Sequence, residues 1–80
     1  MAWNSVKLPA GGKLFKVHRF TFLFNGANFL IEIDEYADGA CSGHGEHATD
    51  KNFVIESVSG SSVEECLNGL ISRIQERNPS

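Results

Sequence analysis

The sequence predicts an α+β fold: an antiparallel meander of three or four strands packed against one C-terminal helix. Three observations carry that expectation. A segment beginning at Gly60-Ser61-Ser62 has apolar residues at Val63, Cys66, Leu67, Leu70, Ile71 and Ile74, the spacing of one buried helix face. Asn25-Gly26 stands between two aromatic and aliphatic runs, the strongest short-range signal for a hairpin with a type I′ turn. Asp38-Gly39 follows the second run and precedes a Gly-x-Gly segment, so a further strand can fold back there.

The first two strands are expected within residues 14 to 36. Pairing Phe24 with Ala27 sets Phe22 opposite Phe29, Phe20 opposite Ile31 and His18 opposite Ile33, one coherent apolar face. The same register brings Arg19 to Glu32 and Phe15 to Tyr36 on the other face, with Lys16 opposite Glu35. Opposite charges and aromatic pairs across strands favour it by a few tenths of a kcal/mol each. A register shifted by two residues keeps the same faces and stays open. Phe15 and Val17 are out of phase with Phe20, Phe22 and Phe24, which predicts a β-bulge or a break around His18-Arg19. Without one, Phe15, Val17, Leu23, Leu30 and Tyr36 fall on the second face of the sheet.

If Asp38-Gly39 makes a three-residue loop, Tyr36 pairs with Ala40 and residues 41 to 47 form a third strand. Gly43 and Gly45 then face the helix beside Ile33 and Ile31, where small residues permit close approach. A two-residue turn would instead bury His44 and Glu46, at a cost of roughly a few kcal/mol. The last strand is expected over 52 to 58, with Ser59-Gly60 turning the chain into the helix. Ser61-x-x-Glu64 and Ser62-x-x-Glu65 both read as capping boxes, and Asn78-Pro79 as the helix stop. Residues 1–13 read as a tail and 14–78 as a single domain. Trp3, Val6 and Leu8 make the tail apolar, which suits docking on the second sheet face, a loose tail or a partner anchor.

Eighty residues with six Phe, one Trp and one Tyr can build one small core, although a chain this short removes only about 60% of its surface from water. Dimerisation is a natural supplement. A formal charge of −3 with scattered Lys and Arg argues against gripping phosphate backbones. No charged segment followed by an apolar run opens the chain, and no stretch is long enough to span a membrane. A cytoplasmic protein with two reduced thiols is therefore expected.

Cys41-x-x-His44-x-x-His47, with Glu46 between the histidines, is the cluster that combines metal-ligand residue types. A zinc site needs three or four such ligands converging, whereas an extended strand sends His44 and His47 to opposite faces. The plain reading is a Gly-rich polar strand or loop with solvated histidines; a zinc or other metal site at Cys41, His44 and His47, whose convergence would need a loop, is the alternative. Cys66 on the apolar helix face reads as inert packing. Gly43-x-Gly45 has no helix behind it to bind phosphate. Adjacent Asp34 and Glu35 point to opposite faces. No catalytic set and no cofactor are expected.

The run Gly60-Ser61-Ser62-Val63-Glu64-Glu65-Cys66-Leu67 resembles the Gly-x-Ser/Thr-x-Glu-Glu-Ala entry into the helix of HicB-like antitoxin domains, which also place a short sheet before that helix. The likeness covers about 20 residues and departs from the family in lacking its Pro-Gly-Cys-type turn and a C-terminal DNA-binding segment. The β-β-β-α order and Gly-x-Gly strand are similar to small bacterial proteins with a double-stranded-RNA-binding-like fold, which need not bind RNA. Neither likeness transfers a functional residue. The expectation is a small, non-enzymatic, bacterial protein-interaction module that meets a protein partner or itself, as a dimer, through Phe15, Val17, Leu23, Leu30, Tyr36 and Trp3. Metal binding is the alternative and nucleic-acid binding ranks third.

Overall fold

Asn25 and Gly26 take φ of 51° and 79°, the positive values that a type I′ turn requires at both central positions. The computed structural model describes residues 3–77. The turn joins β1 (Phe15–Phe24) to β2 (Ala27–Tyr36), each of ten residues. Pairing runs unbroken from Phe24↔Ala27 to Phe15↔Tyr36, the unshifted register. The expected bulge near His18-Arg19 is therefore absent. Cross-strand pairs hold β1 straight instead: Arg19 Nε donates to Glu32 Oε2 at 2.8 Å, and the Phe15 and Tyr36 rings lie 5.4 Å apart. The phase conflict is resolved by leaving Phe15 and Val17 on the second face.

The next turn places Gly39 at φ 93°. Gly39 N donates to Tyr36 O at 3.0 Å and Tyr36 N to Ala40 O at 2.9 Å, while Asp38 Oδ1 accepts from Ala40 N at 3.0 Å. This three-residue loop sets β3 (Cys41–His47) against β2, with Ile33↔Gly43 and Ile31↔Gly45. A Cβ on Gly43 would stand 3.0 Å from Leu70 Cδ1 and 3.4 Å from Ile33 and Val58. The glycine is what lets the helix approach the sheet.

The last strand differs from expectation. Instead of 52 to 58, β4 is Val58–Gly60, pairing Gly43↔Val58, Ser42↔Ser59 and Cys41↔Gly60. The difference follows from lengths. The helix, at about 1.5 Å per residue, is shorter than the long strands, at about 3.3 Å per residue. Phe53 and Ile55 pack against the core it leaves uncovered: Phe53 meets Phe29 edge-on at 5.3 Å, and Ile55 lies over Gly45.

Helix α1 spans Val63–Arg77, and the Asn78-Pro79 stop lies outside the described residues. Of the two possible capping boxes the chain uses the second: Glu65 N donates to Ser62 Oγ at 3.0 Å. Glu65 Oε1 accepts from Ser61 N at 2.8 Å, one residue earlier than in a standard box, in space a side chain on Gly60 would fill. Ser62→Ala should therefore cost about 1 kcal/mol, whereas Ser61→Ala, whose backbone is the donor, should be nearly neutral by denaturant midpoint.

Among the described residues the sheet runs β1-β2-β3-β4, and α1 packs on β2, β3 and β4. Phe29, Ile31, Ile33, Cys41, Cys66, Leu70 and Ile74 form the buried core. The molecule measures 47 × 21 × 20 Å with a radius of gyration of 14.6 Å, against about 12 Å for a compact chain of this length. Such a shape leaves much of the hairpin uncovered. Among the described residues no helix is long and apolar enough to cross a membrane.

Candidate interaction surface

Strand alternation puts β1's odd and β2's even residues on the face away from the helix. Leu23 is 67% exposed there, Leu30 43%, Phe15 42% and Val17 39%. Tyr36 is half-buried, with Lys13 Nζ 4.6 Å from its ring centroid. These residues are spread along two adjacent strands. In the tail, Trp3–Ser5 forms a short 3₁₀ turn with Trp3 half-buried, while Val6 and Leu8 are exposed. Leu8, Gly12 and Leu14 share a groove with Tyr36 and Ala40, so this stretch borders one end of the sheet.

Between the apolar positions lies a polar line across three strands. Glu32 accepts from Arg19 and stands 3.3 Å from His44 Nε2 through its other oxygen. The Arg19 hydrogen bond outweighs desolvation and, with lesser help from the Arg19 charge and from His44, holds the Glu32 carboxyl below its ordinary range. Arg19 is raised in return. Glu32 and His44 help line an open depression of ≈ 460 Å³ with Thr21, Leu30 and Glu46. The arrangement orients polar groups in a solvated setting.

Cys41, His44 and His47 do not converge. Cys41 is buried on the helix side and His44 is exposed on the outer face. His47 lies on the helix side at the far end of β3, roughly 20 Å along the strand from Cys41. His47 is also not the solvated residue expected. Its ring packs on Phe29 at 5.1 Å and Phe53 at 5.6 Å. Its Nδ1 accepts from Asp50 N at 2.9 Å and Thr49 N at 3.2 Å, which occupies that nitrogen's lone pair. Among the described residues no group of three or more His, Cys, Asp or Glu could hold a metal ion. Burial pushes both thiols up, first by desolvation, with Cys66 adding to the effect on Cys41 and Glu65 to that on Cys66. They remain neutral packing groups.

Sequence reasoning missed two features. His18 Nε2 pairs with Glu35 at 2.9 Å, a diagonal contact, although Lys16 is the residue directly opposite Glu35. It also missed that β1 lies outside the helix footprint, leaving Phe20 38% exposed even on the helix side. The unbroken in-phase run from Phe20 to Phe24 was the available signal for a long edge. Compared with protein-family models, curated proteins and solved structures, the chain gives no match.

Proposed function

We propose that this chain is a small non-enzymatic protein-interaction module that self-associates through the apolar surface of its β1–β2 hairpin. One observation carries the reading: Phe15, Val17, Leu23 and Leu30 stand open on one face of a folded domain, interrupted by the Arg19–Glu32–His44 line. Several large apolar side chains open to solvent on one face and bordered by polar groups mark an interaction site. The surrounding chemistry supports it, since the thiols are buried and the assembled charges are paired to each other. The net charge of −3 favours a protein partner over a nucleic acid.

Leu23→Asp tests the reading. Leu23 is the most exposed of the four, so the substitution should shift folding stability by no more than about 0.5 kcal/mol. It should weaken association at least about tenfold, because burying a leucine is worth roughly 1.5–3 kcal/mol and each 1.4 kcal/mol is a factor of ten. Sedimentation equilibrium reads the dissociation constant. An unchanged constant in a folded variant would remove Leu23 from the contact.

A further inference from the structure

We infer that a second copy of the chain adds to the open edge of β1, antiparallel and two-fold symmetric about Phe20, to make one continuous sheet. The inference rests on the self-association reading and names its geometry. It starts from the unequal treatment of the two sheet edges. β4, at one edge, is three residues long. β1, at the other, is ten residues long, pairs without a bulge and contains no Pro or Gly. Short strands, bulges, prolines and charged side chains are how sheets blunt their edges. Only the Lys16 and Arg19 charges stand on this one, and Arg19 is already paired with Glu32.

The hairpin decides which groups are free. A two-residue turn makes Phe24↔Ala27 a hydrogen-bonded pair, so the even residues of β1 bond to β2. Val17, Arg19, Thr21 and Leu23 direct their backbone N–H and C=O groups outward. Among the described residues no strand meets them.

An antiparallel two-fold pairing must match odd with odd and even with even residues. Centring it on Phe20 aligns nine residues, 16 to 24. It sets Val17 against the second copy's Leu23 and Arg19 against its Thr21 on the outer face. On the helix side, Phe20 meets Phe20, His18 meets Phe22, and Lys16 meets Phe24. About eight backbone hydrogen bonds form, two for each outward-facing pair. Centring on Arg19 would oppose like charges, centring on His18 would oppose two histidines, and centring on Thr21 shortens the match. The Phe20 register joins apolar residues that are solvent-exposed in one copy: Phe20, Val17 and Leu23. It also leaves Leu30, on β2, outside the contact.

Two variants separate edge from face. Thr21→Pro removes an outward N–H that β2 does not use, a substitution edge strands tolerate. It should weaken dimerisation more than tenfold, and more than Leu30→Lys does, because Leu30→Lys charges the outer face on β2 opposite Glu46 and leaves every edge group of β1 in place. The reverse pattern would overturn the edge inference and leave the interaction module standing. A wild-type chain that never associates would overturn both.

A register test does not depend on the proline variant folding. Phe20→Cys places two thiols at the symmetry axis, at a non-hydrogen-bonded pair with Cα atoms about 4.5 Å apart, within disulfide reach. Leu23→Cys places them about 20 Å apart. With oxidised glutathione, Phe20→Cys should form a covalent dimer and Leu23→Cys should not, against a background of buried native thiols. Cross-linking of both alike, or of neither, would overturn the register.

Discussion

Phe29→Ala should lower the unfolding free energy by about 3–5 kcal/mol, the usual cost of emptying a phenylalanine site in a core. Phe29 is fully buried and packs against rings from three parts of the chain. Its ring lies 6.3 Å from Phe22 of β1, 5.3 Å from Phe53 and 5.1 Å from His47. Removing it opens a cavity where the helix gives no cover. At roughly 0.05–0.15 kcal/mol per residue, the whole domain has about 4–12 kcal/mol. The loss is at least about a quarter of that total, read by circular dichroism against urea. A loss below about 1 kcal/mol would mean that Phe53 is not packed on the sheet.

Gly43→Val should cost about 3 kcal/mol, the upper part of the usual range for overpacking. The first added carbon would already stand 3.0 Å from Leu70 Cδ1, and both γ-methyls must enter space bounded by Ile33 and Val58. The helix must lift off or Leu70 must leave its rotamer. Gly69 makes the control. A Cβ there meets Val58 at 3.5 to 3.8 Å, ordinary contact, and replaces a mid-helix glycine. Gly69→Ala should therefore stabilise by up to about 1 kcal/mol. Equal effects at the two glycines would contradict the close helix–sheet approach at β3.

The parts of this fold legible in the sequence are those set by local stereochemistry. Asn25, Gly26 and Gly39 determine two loop lengths through their positive φ values, and loop length determines which residues of β1, β2 and β3 face each other. Ser62 and Glu65 mark the helix start in the same local way. What depends on the relative reach of distant elements was not legible. Phe53 and Ile55 alternate with Val54 whether the segment lines a sheet edge or folds over a sheet end, so periodicity alone placed the last strand over 52 to 58 instead of Val58–Gly60. The odd phase of Phe15 and Val17 suggested a bulge because an apolar residue on an uncovered face looks like a mistake in a monomer. The surface itself was legible from parity, but its limits depend on which strands the helix covers. His47 resembled a ligand because the residue type does not reveal that its Nδ1 accepts from its own turn.

The weight-average mass of the full chain as a function of concentration, by sedimentation equilibrium, tests most directly whether the open hairpin surface is an interaction site. The mass should rise from 8.8 kDa toward twice that value as concentration increases, with Thr21→Pro and Leu23→Asp displaced to higher concentration. A mass of 8.8 kDa throughout, up to millimolar chain, would contradict self-association and leave the apolar hairpin face uncovered in solution.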